Sequence, residues 1–244
     1  MKRYIYKQLL AWKNEKEHKP LILNGARQVG KTYILREFGR NEYKRMAFFC
    51  LDRDQKALEI FNKGGRATDM LMALSAICHE DITPHDTLVV LDEIQNCPKA
   101  LEALKFFCEE TPEIDIVVAG SLLGLSIHSG VSYPVGKVEE LHLYPMTFLE
   151  FLEAMGKTQL VNLLENKNWT VINMLETELI SSLRQYYYVG GMPAAVLAHI
   201  EKKGWKEVRR IQQQIITDYR RDFSKHAPTR EIPRINMVWD SIPA

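Results

Sequence analysis

The sequence predicts an α/β domain built on a parallel sheet, followed by a helical unit. Short apolar runs alternate with amphipathic stretches through the first half of the chain. The first run leads into a Gly-rich turn and then a helical pattern. After Tyr144-Pro145 the alternation stops, and apolar residues recur at helical spacing instead.

The elements follow in order. Leu21-Ile22-Leu23 is the first strand, and Thr32 to Gly39 the helix after its turn. Met46 to Leu51 (MAFFCL) is a second strand. Thr87 to Leu91 (TLVVL) is a third, ending in Asp92-Glu93, and Lys99 to Glu110 reads as the helix that follows. Ile114 to Ala119 (IDIVVA) is a fourth, ending in Gly120-Ser121. Val138 to Leu143 alternates and fits a fifth strand at or near an edge. Beyond it, Thr147 to Glu165 reads as one helix and Val171 to Tyr188 as another. Gly190-Gly191-Met192-Pro193 is a break. Trp205, Val208, Ile211, Ile215, Tyr219 and Phe223 form a last apolar stripe.

At 244 residues the chain has room for one large domain or two modest ones. With 46% hydrophobic and 26% charged residues, disorder is excluded as the default state. The formal charge of +1 gives no global pull toward nucleic acid or a membrane surface. Cys50, Cys78, Cys97 and Cys108 lack C-x-x-C spacing, and the histidines are dispersed without metal-ligand spacing. Scattered thiols fit a reducing compartment. No apolar run suits a signal peptide or a membrane span, so a cytoplasmic location is expected.

Residues 25–32 read Gly25-Ala26-Arg27-Gln28-Val29-Gly30-Lys31-Thr32, a match to G-x-x-x-x-G-K-S/T between a strand and a helix. Each residue type has a reason. The glycines let backbone N–H groups curl around phosphate oxygens, and the new helix points its N-terminus at the anion. Lys31 brings a compact positive charge to the β- and γ-phosphates, and Thr32 offers a hydroxyl to Mg²⁺. A chance match at a Gly turn is the competing reading; the strand before it and the helical pattern after it weigh against that.

A nucleotide site also needs a carboxylate for the metal at the end of a nearby strand. Leu88-Val89-Val90-Leu91-Asp92-Glu93 supplies one about 60 residues downstream. Asp92 is placed to hold Mg²⁺ through water, and Glu93 to orient and activate an attacking water. A buried strand ending in a solvated acidic turn is the simpler alternative, weakened by the neighbouring P-loop. Ser121, ending the fourth run, would place a polar side chain between the Asp92-Glu93 strand and the P-loop strand. There it could hydrogen-bond the γ-phosphate or the attacking water, although Gly-Ser is also an ordinary turn.

GARQVGKTYIL, LVVLDEIQ, VVAGSLLGL, YPVGKVEELHLYPMTFLEFL and YYYVGGMP together resemble the prokaryotic AAA-type P-loop ATPases of the archaeal-type STAND-related clade. The resemblance covers nearly all of residues 4–244. It implies a sheet of order 5-1-4-3-2 and three parts: an ATPase core over 1–145, a helical lid over 146–203, and the start of a truncated C-terminal domain over 204–244. It also implies that Ser121 is a sensor and that the turn carrying Gly191 and Pro193 faces the nucleotide. Lys137 stands where the family often has an arginine finger, leaving Arg184, Arg220 and Arg221 as alternatives for that role.

The function these readings imply is an ATPase with ATP and Mg²⁺ as cofactors, working as a nucleotide-driven switch. The alternative is a nucleotide-gated binding module with little or no turnover. A kinase would need an acceptor pocket and an Arg-rich lid, and the Asp92-Glu93 pair favours water as acceptor. A GTPase lacks its N-K-x-D motif here: Asn166-Lys167-Asn168-Trp169 has the wrong last residue. Between 201 and 234 basic residues outnumber acidic ones ten to five; a solvated helix face is the simpler reading, a DNA- or protein-contacting face the alternative. The apolar run from Ile232 to Ile242 calls for a core to bury it, which with the resemblance leads to the expectation of a truncated chain. Such a fragment would turn over slowly, on the order of one per minute or less, and bind duplex DNA weakly and without sequence preference.

Overall fold

The computed structural model describes residues 1–121, 133–226 and 230–242, with the side chains of Ser121 and of 223–226 outside the described set. The chain forms two compact units. The first, here the sheet unit, comprises Ile5–Ala26 and Gly30–Leu143; the second, the helical unit, comprises Met1–Tyr4, Arg27–Val29 and Tyr144–Ala244.

The sheet unit opens with α1 (Ile5–Asn14) and runs through β1 (Leu21–Gly25), α2 (Lys31–Glu42), β2 (Arg45–Cys50), α3 (Gln55–Lys63), α4 (Ala67–Cys78), β3 (Thr87–Asp92), a 3-10 turn (Ile94–Asn96), α5 (Pro98–Glu110), β4 (Asp115–Ser121) and β5 (Glu139–Leu143). Every strand pairing is parallel. The order is β2-β3-β4-β1-β5, which is the expected 5-1-4-3-2 read from the other edge. Parallel strands need crossover helices, which cover both faces and leave central strands buried on each side. β1 and β3 are accordingly buried at every position.

Strand alternation divides the core. Ile22, Ala47, Phe49, Val89, Leu91, Ile116 and Val118 share one face with Ala57 and Phe61 of α3, Leu74 of α4, and Leu104 and Phe107 of α5. Leu21, Leu23, Leu88 and Val90 therefore point to the other face. There α2 comes close enough that a Cβ at Gly39 would overlap the Met46 sulfur and touch Leu88 at 3.4 Å. β5, one of the two edge strands, alternates in burial with only Leu143 fully buried.

In the helical unit the elements are α6 (Phe148–Ala154), α7 (Thr158–Glu165), α8 (Trp169–Met174), α9 (Glu176–Val189), α10 (Pro193–Ile200), α11 (Trp205–His226) and α12 (Ile232–Ser241). Its core joins Met146, Phe151, Val189, Ala195, Val196, Ala198 and Val208. Two expected long helices are each split. Thr147 to Glu165 breaks at Gly156, whose φ of 77° is left-handed and ends α6. Val171 to Tyr188 begins earlier and breaks at Leu175, whose φ/ψ of −104°/15° departs from helical geometry. α6 is started by a full capping box: Thr147 accepts from the Glu150 N–H, and Glu150 accepts from the Thr147 N–H. The apolar side chains of α12 are only partly covered: Ile232, Ile235 and Trp239 are half-buried, and Met237 and Val238 are exposed.

Buried Arg3 ties the start of the chain into the helical unit. Its guanidinium donates to Glu150 at 3.1 Å, to the Val29 carbonyl at 2.9 Å and to the Tyr144 carbonyl at 2.6 Å. Glu150 also accepts the Tyr4 N–H at 2.7 Å. A buried charge is tolerated when paired and hydrogen-bonded in this way. Among the described residues, no helix is long and apolar enough to cross a membrane.

Candidate functional site

The site lies at the C-terminal ends of β1 and β3, where open α/β sheets bind ligands. β1 ends at Gly25, the P-loop follows, and α2 begins at Lys31. The turn needs unusual backbone at two places. Gly30 has φ 98°, which only glycine adopts easily, and Gln28 has φ 63°. These local demands explain why the motif fixes a glycine immediately before the lysine.

Lys31 Nζ donates to the carbonyls of Gly25 and Ala26 at 2.8 and 2.9 Å. Thr32 Oγ1 donates to Asp92 Oδ2 at 2.7 Å. This bond links the start of α2 to the end of β3, which β4 separates from β1 in the sheet. Asp92 is buried, and its other oxygen accepts the Glu93 N–H at 3.1 Å. Glu93 itself sits in left-handed backbone, φ 57° and ψ 44°. A non-glycine residue in that region carries strain, and such strain clusters at functional sites. It turns the chain out of the strand directly after the metal-ligand candidate.

Gln95 is a residue the sequence reading gave no role. It is buried, and its side-chain amide donates to Glu93 Oε2. No motif marks it; only the 3-10 turn after β3 brings a side chain two positions on back toward the carboxylate. The backbone of Ser121 pairs with Gly25, so the end of β4 lies between the Asp92 strand and the P-loop strand.

Gly191 and Pro193 belong to the helical unit, and both have local structural work there. A Cβ at Gly191 would overlap the Met146 carbonyl oxygen and approach the Met146 nitrogen at 2.9 Å. Pro193 opens α10 at a position that spares a helical N–H. Lys137 precedes the N-terminal end of β5, the sheet end away from the P-loop, and pairs with Glu109 at 3.0 Å. Arg184 lines an open groove of about 790 Å³ with Tyr188 and Trp205. Arg220 pairs with Asp240. Arg221 is 4.0 Å from Asp218. Along α11, Arg210 chelates Glu207 at 2.7 and 2.8 Å. Charges paired so locally support a solvated helix face.

The donor set suits one divalent cation. Mg²⁺ commonly takes one or two protein oxygens and fills its remaining positions with waters and substrate phosphates. The adjacent Thr32 hydroxyl and Asp92 carboxylate fit that demand. Among the described residues no cluster of three or more His, Cys, Asp or Glu could hold a metal without such help.

Residues 17–152 match a family model described as an AAA domain, and residues 180–244 match one described as a domain of unknown function. No curated protein matches the chain. Among solved structures, Drosophila ORC bound to DNA is similar over 86% of this chain and 65% of its own, at 15% identity and a TM-score of 0.48. Cdc6p from Pyrobaculum aerophilum is similar over 64% of this chain and 50% of its own, at 17% identity and a TM-score of 0.41. The chain thus spans between half and two thirds of the length of these solved chains, and likenesses this distant carry no functional argument.

Proposed function

Since the chain belongs to the AAA domain family, whose model covers more than half of it, we propose that it binds Mg-ATP at the P-loop and hydrolyses it slowly. In this reading it is a nucleotide-driven conformational switch. The observation that carries the proposal is the 2.7 Å bond between Thr32 and Asp92, residues 60 positions apart in the sequence that together would hold Mg²⁺. The backbone N–H groups of residues 25–32 cradle the phosphates. Lys31 exchanges its two carbonyl partners for phosphate oxygens, which satisfy an ammonium better because they are charged. Thr32 and Asp92 would hold Mg²⁺, which when bound would offset phosphate charge.

Glu93 is the general base in this scheme, and Gln95 its positioning residue, holding one carboxylate oxygen so that the other faces the water. Ser121 serves as the polar sensor beside Gly25. The segment 146–203 acts as lid, its Gly191–Pro193 turn facing the nucleotide, and 204–244 follows it as a separate part.

The test separates binding from turnover. Lys31→Ala should abolish tight Mg-ATP binding in calorimetry. Glu93→Gln should keep binding but slow phosphate release by roughly a hundred-fold or more. Asp92→Asn should weaken binding and Mg²⁺ dependence together. Equal effects of the Glu93 and Asp92 changes would overturn the division of roles. Tight binding by the parent with no measurable phosphate release would favour a nucleotide-gated module over an ATPase.

A further inference from the structure

The middle of the P-loop is held from outside. Arg27–Val29 group with the helical unit, and three residues on one stretch of α11 contact them. Asp222, itself buried, lies 2.6 Å from Arg27 Nε. Tyr219 donates its hydroxyl to the Arg27 carbonyl at 2.8 Å. Asp218 accepts from the Gln28 side-chain amide at 3.0 Å. Residues 218 and 222 are one helical turn apart, so a single face of α11 supplies all three contacts. Trp239 of α12 stacks on Tyr219 with ring centroids 5.9 Å apart, which fixes the phenol. From the start of the chain, Arg3 takes the Val29 carbonyl.

These contacts choose where the loop's N–H groups point. In a planar trans peptide the C=O and the next N–H face opposite ways. Anchoring the Arg27 carbonyl on Tyr219 therefore turns the Gln28 N–H away from α11. Anchoring the Val29 carbonyl on Arg3 likewise turns the Gly30 N–H away from Arg3. A phosphate nest needs its N–H groups free on the concave side and its carbonyls held elsewhere. Gln28 must also be kept in left-handed backbone against its own preference, and Asp218 holds its side chain.

We propose that α11 and Arg3 form an outer buttress of the phosphate-binding loop, with Asp218, Tyr219 and Asp222 as positioning residues for nucleotide binding. The proposal rests on the Mg-ATP reading of the P-loop. Coupling of this kind is reciprocal: if α11 favours the loop that binds nucleotide, bound nucleotide favours the docked α11. α11 is then the element through which occupancy of the loop reaches the rest of the helical unit.

The experiment uses the whole chain and measures Mg-ATP affinity by calorimetry for the parent, Tyr219→Phe/Asp222→Asn and Arg210→Ala. The last change removes an α11 ion pair remote from the loop contacts and serves as control. The double variant should bind about ten-fold more weakly, the scale of losing two hydrogen-bonded contacts. Its turnover at saturating ATP should stay within about two-fold of the parent. Arg210→Ala should match the parent, and Asp222→Glu should bind more tightly than Asp222→Asn. In the parent, ATP should slow hydrogen exchange in α11, a readout independent of any variant's folding. Unchanged affinity in the double variant together with unchanged exchange in α11 would overturn the buttress while leaving the P-loop reading intact. Failure of the parent itself to bind Mg-ATP would overturn both.

Discussion

In the sheet unit, chemistry and core share the same elements, whereas in the helical unit they do not. Asp92 is the last residue of a strand buried at every position, and Lys31 and Thr32 open a helix whose Ile34, Leu35 and Phe38 are buried. The helical unit includes short helices that bury little: α7 buries only Val161, and α8 only Ile172. It leaves Trp169, Met174 and Tyr187 exposed. A charge network around Arg3 and Glu150 takes on work that packing does in the other unit. A group at the end of a fully buried strand has few alternative positions, which suits a site that must hold geometry. Helices with few buried contacts open at lower free energy, which suits a part that moves.

The largest effect should come from the buried strands. Ile22 is fully buried in β1, three residues before the P-loop, and Ile22→Ala should cost about 2–5 kcal/mol in denaturant unfolding. Met174→Ala, at a residue 77% exposed in the helical unit, should stay within about 0.5 kcal/mol. Comparable losses at both positions would erase the contrast between the units.

A smaller effect should appear where the helical unit is tight. Gly191 packs most closely on the Met146 backbone: its carbonyl accepts the Met146 N–H at 2.7 Å, and Tyr186 donates to the Met146 carbonyl at 2.8 Å. Backbone cannot rotate aside as a side chain can. Gly191→Ala should therefore destabilise by about 1–3 kcal/mol, an overpacking cost. Gly190→Ala meets open space but holds φ 73°, so its cost is conformational. An alanine tolerated at 191 without loss of melting temperature would show that this unit has no rigid point.

The same contrast explains what the sequence makes legible. Four of the five strands are readable as apolar runs and the edge strand β5 by its alternation, and the P-loop because phosphate binding fixes residue types at fixed spacing. The sheet order came with the resemblance. The split of the helical segments at Gly156 and Leu175 is hidden, because apolar residues keep nearly helical spacing across each short turn. α1, α3, α4, α10 and α12 are unannounced as helices: α4, ATDMLMALSAIC, is apolar on most sides and offers little periodicity. Gln95 and the α11 contacts leave no local trace. Gln28 and Asp218 are 190 positions apart, and nothing near either one announces the other.

The smallest expected effect lies in the sheet unit, at a buried titratable pair. His18 and Asp115 are both buried, with Nε2 and Oδ1 2.9 Å apart. Trp12 packs on the imidazole at 4.5 Å between ring centroids, and the exposed His85 lies 3.8 Å from the same carboxylate oxygen. Burial alone would push the His18 pKa down, but contact with Asp115, the Lys19 backbone and the charge of Glu139 together carry it above its ordinary 6.5. A raised folded-state value means that protonation of His18 favours the folded state. That contribution is fully present below about pH 6.5 and is lost as pH climbs through the higher folded value. His18→Gln removes the titration while keeping a polar side chain beside Asp115. The stability difference between parent and His18→Gln should therefore be largest near about pH 5.5 and shrink toward about pH 8.5. Denaturant midpoints for both proteins across that range read it directly. A difference that grew with pH would mean that His18 is held neutral in the fold, and that burial outweighs Asp115.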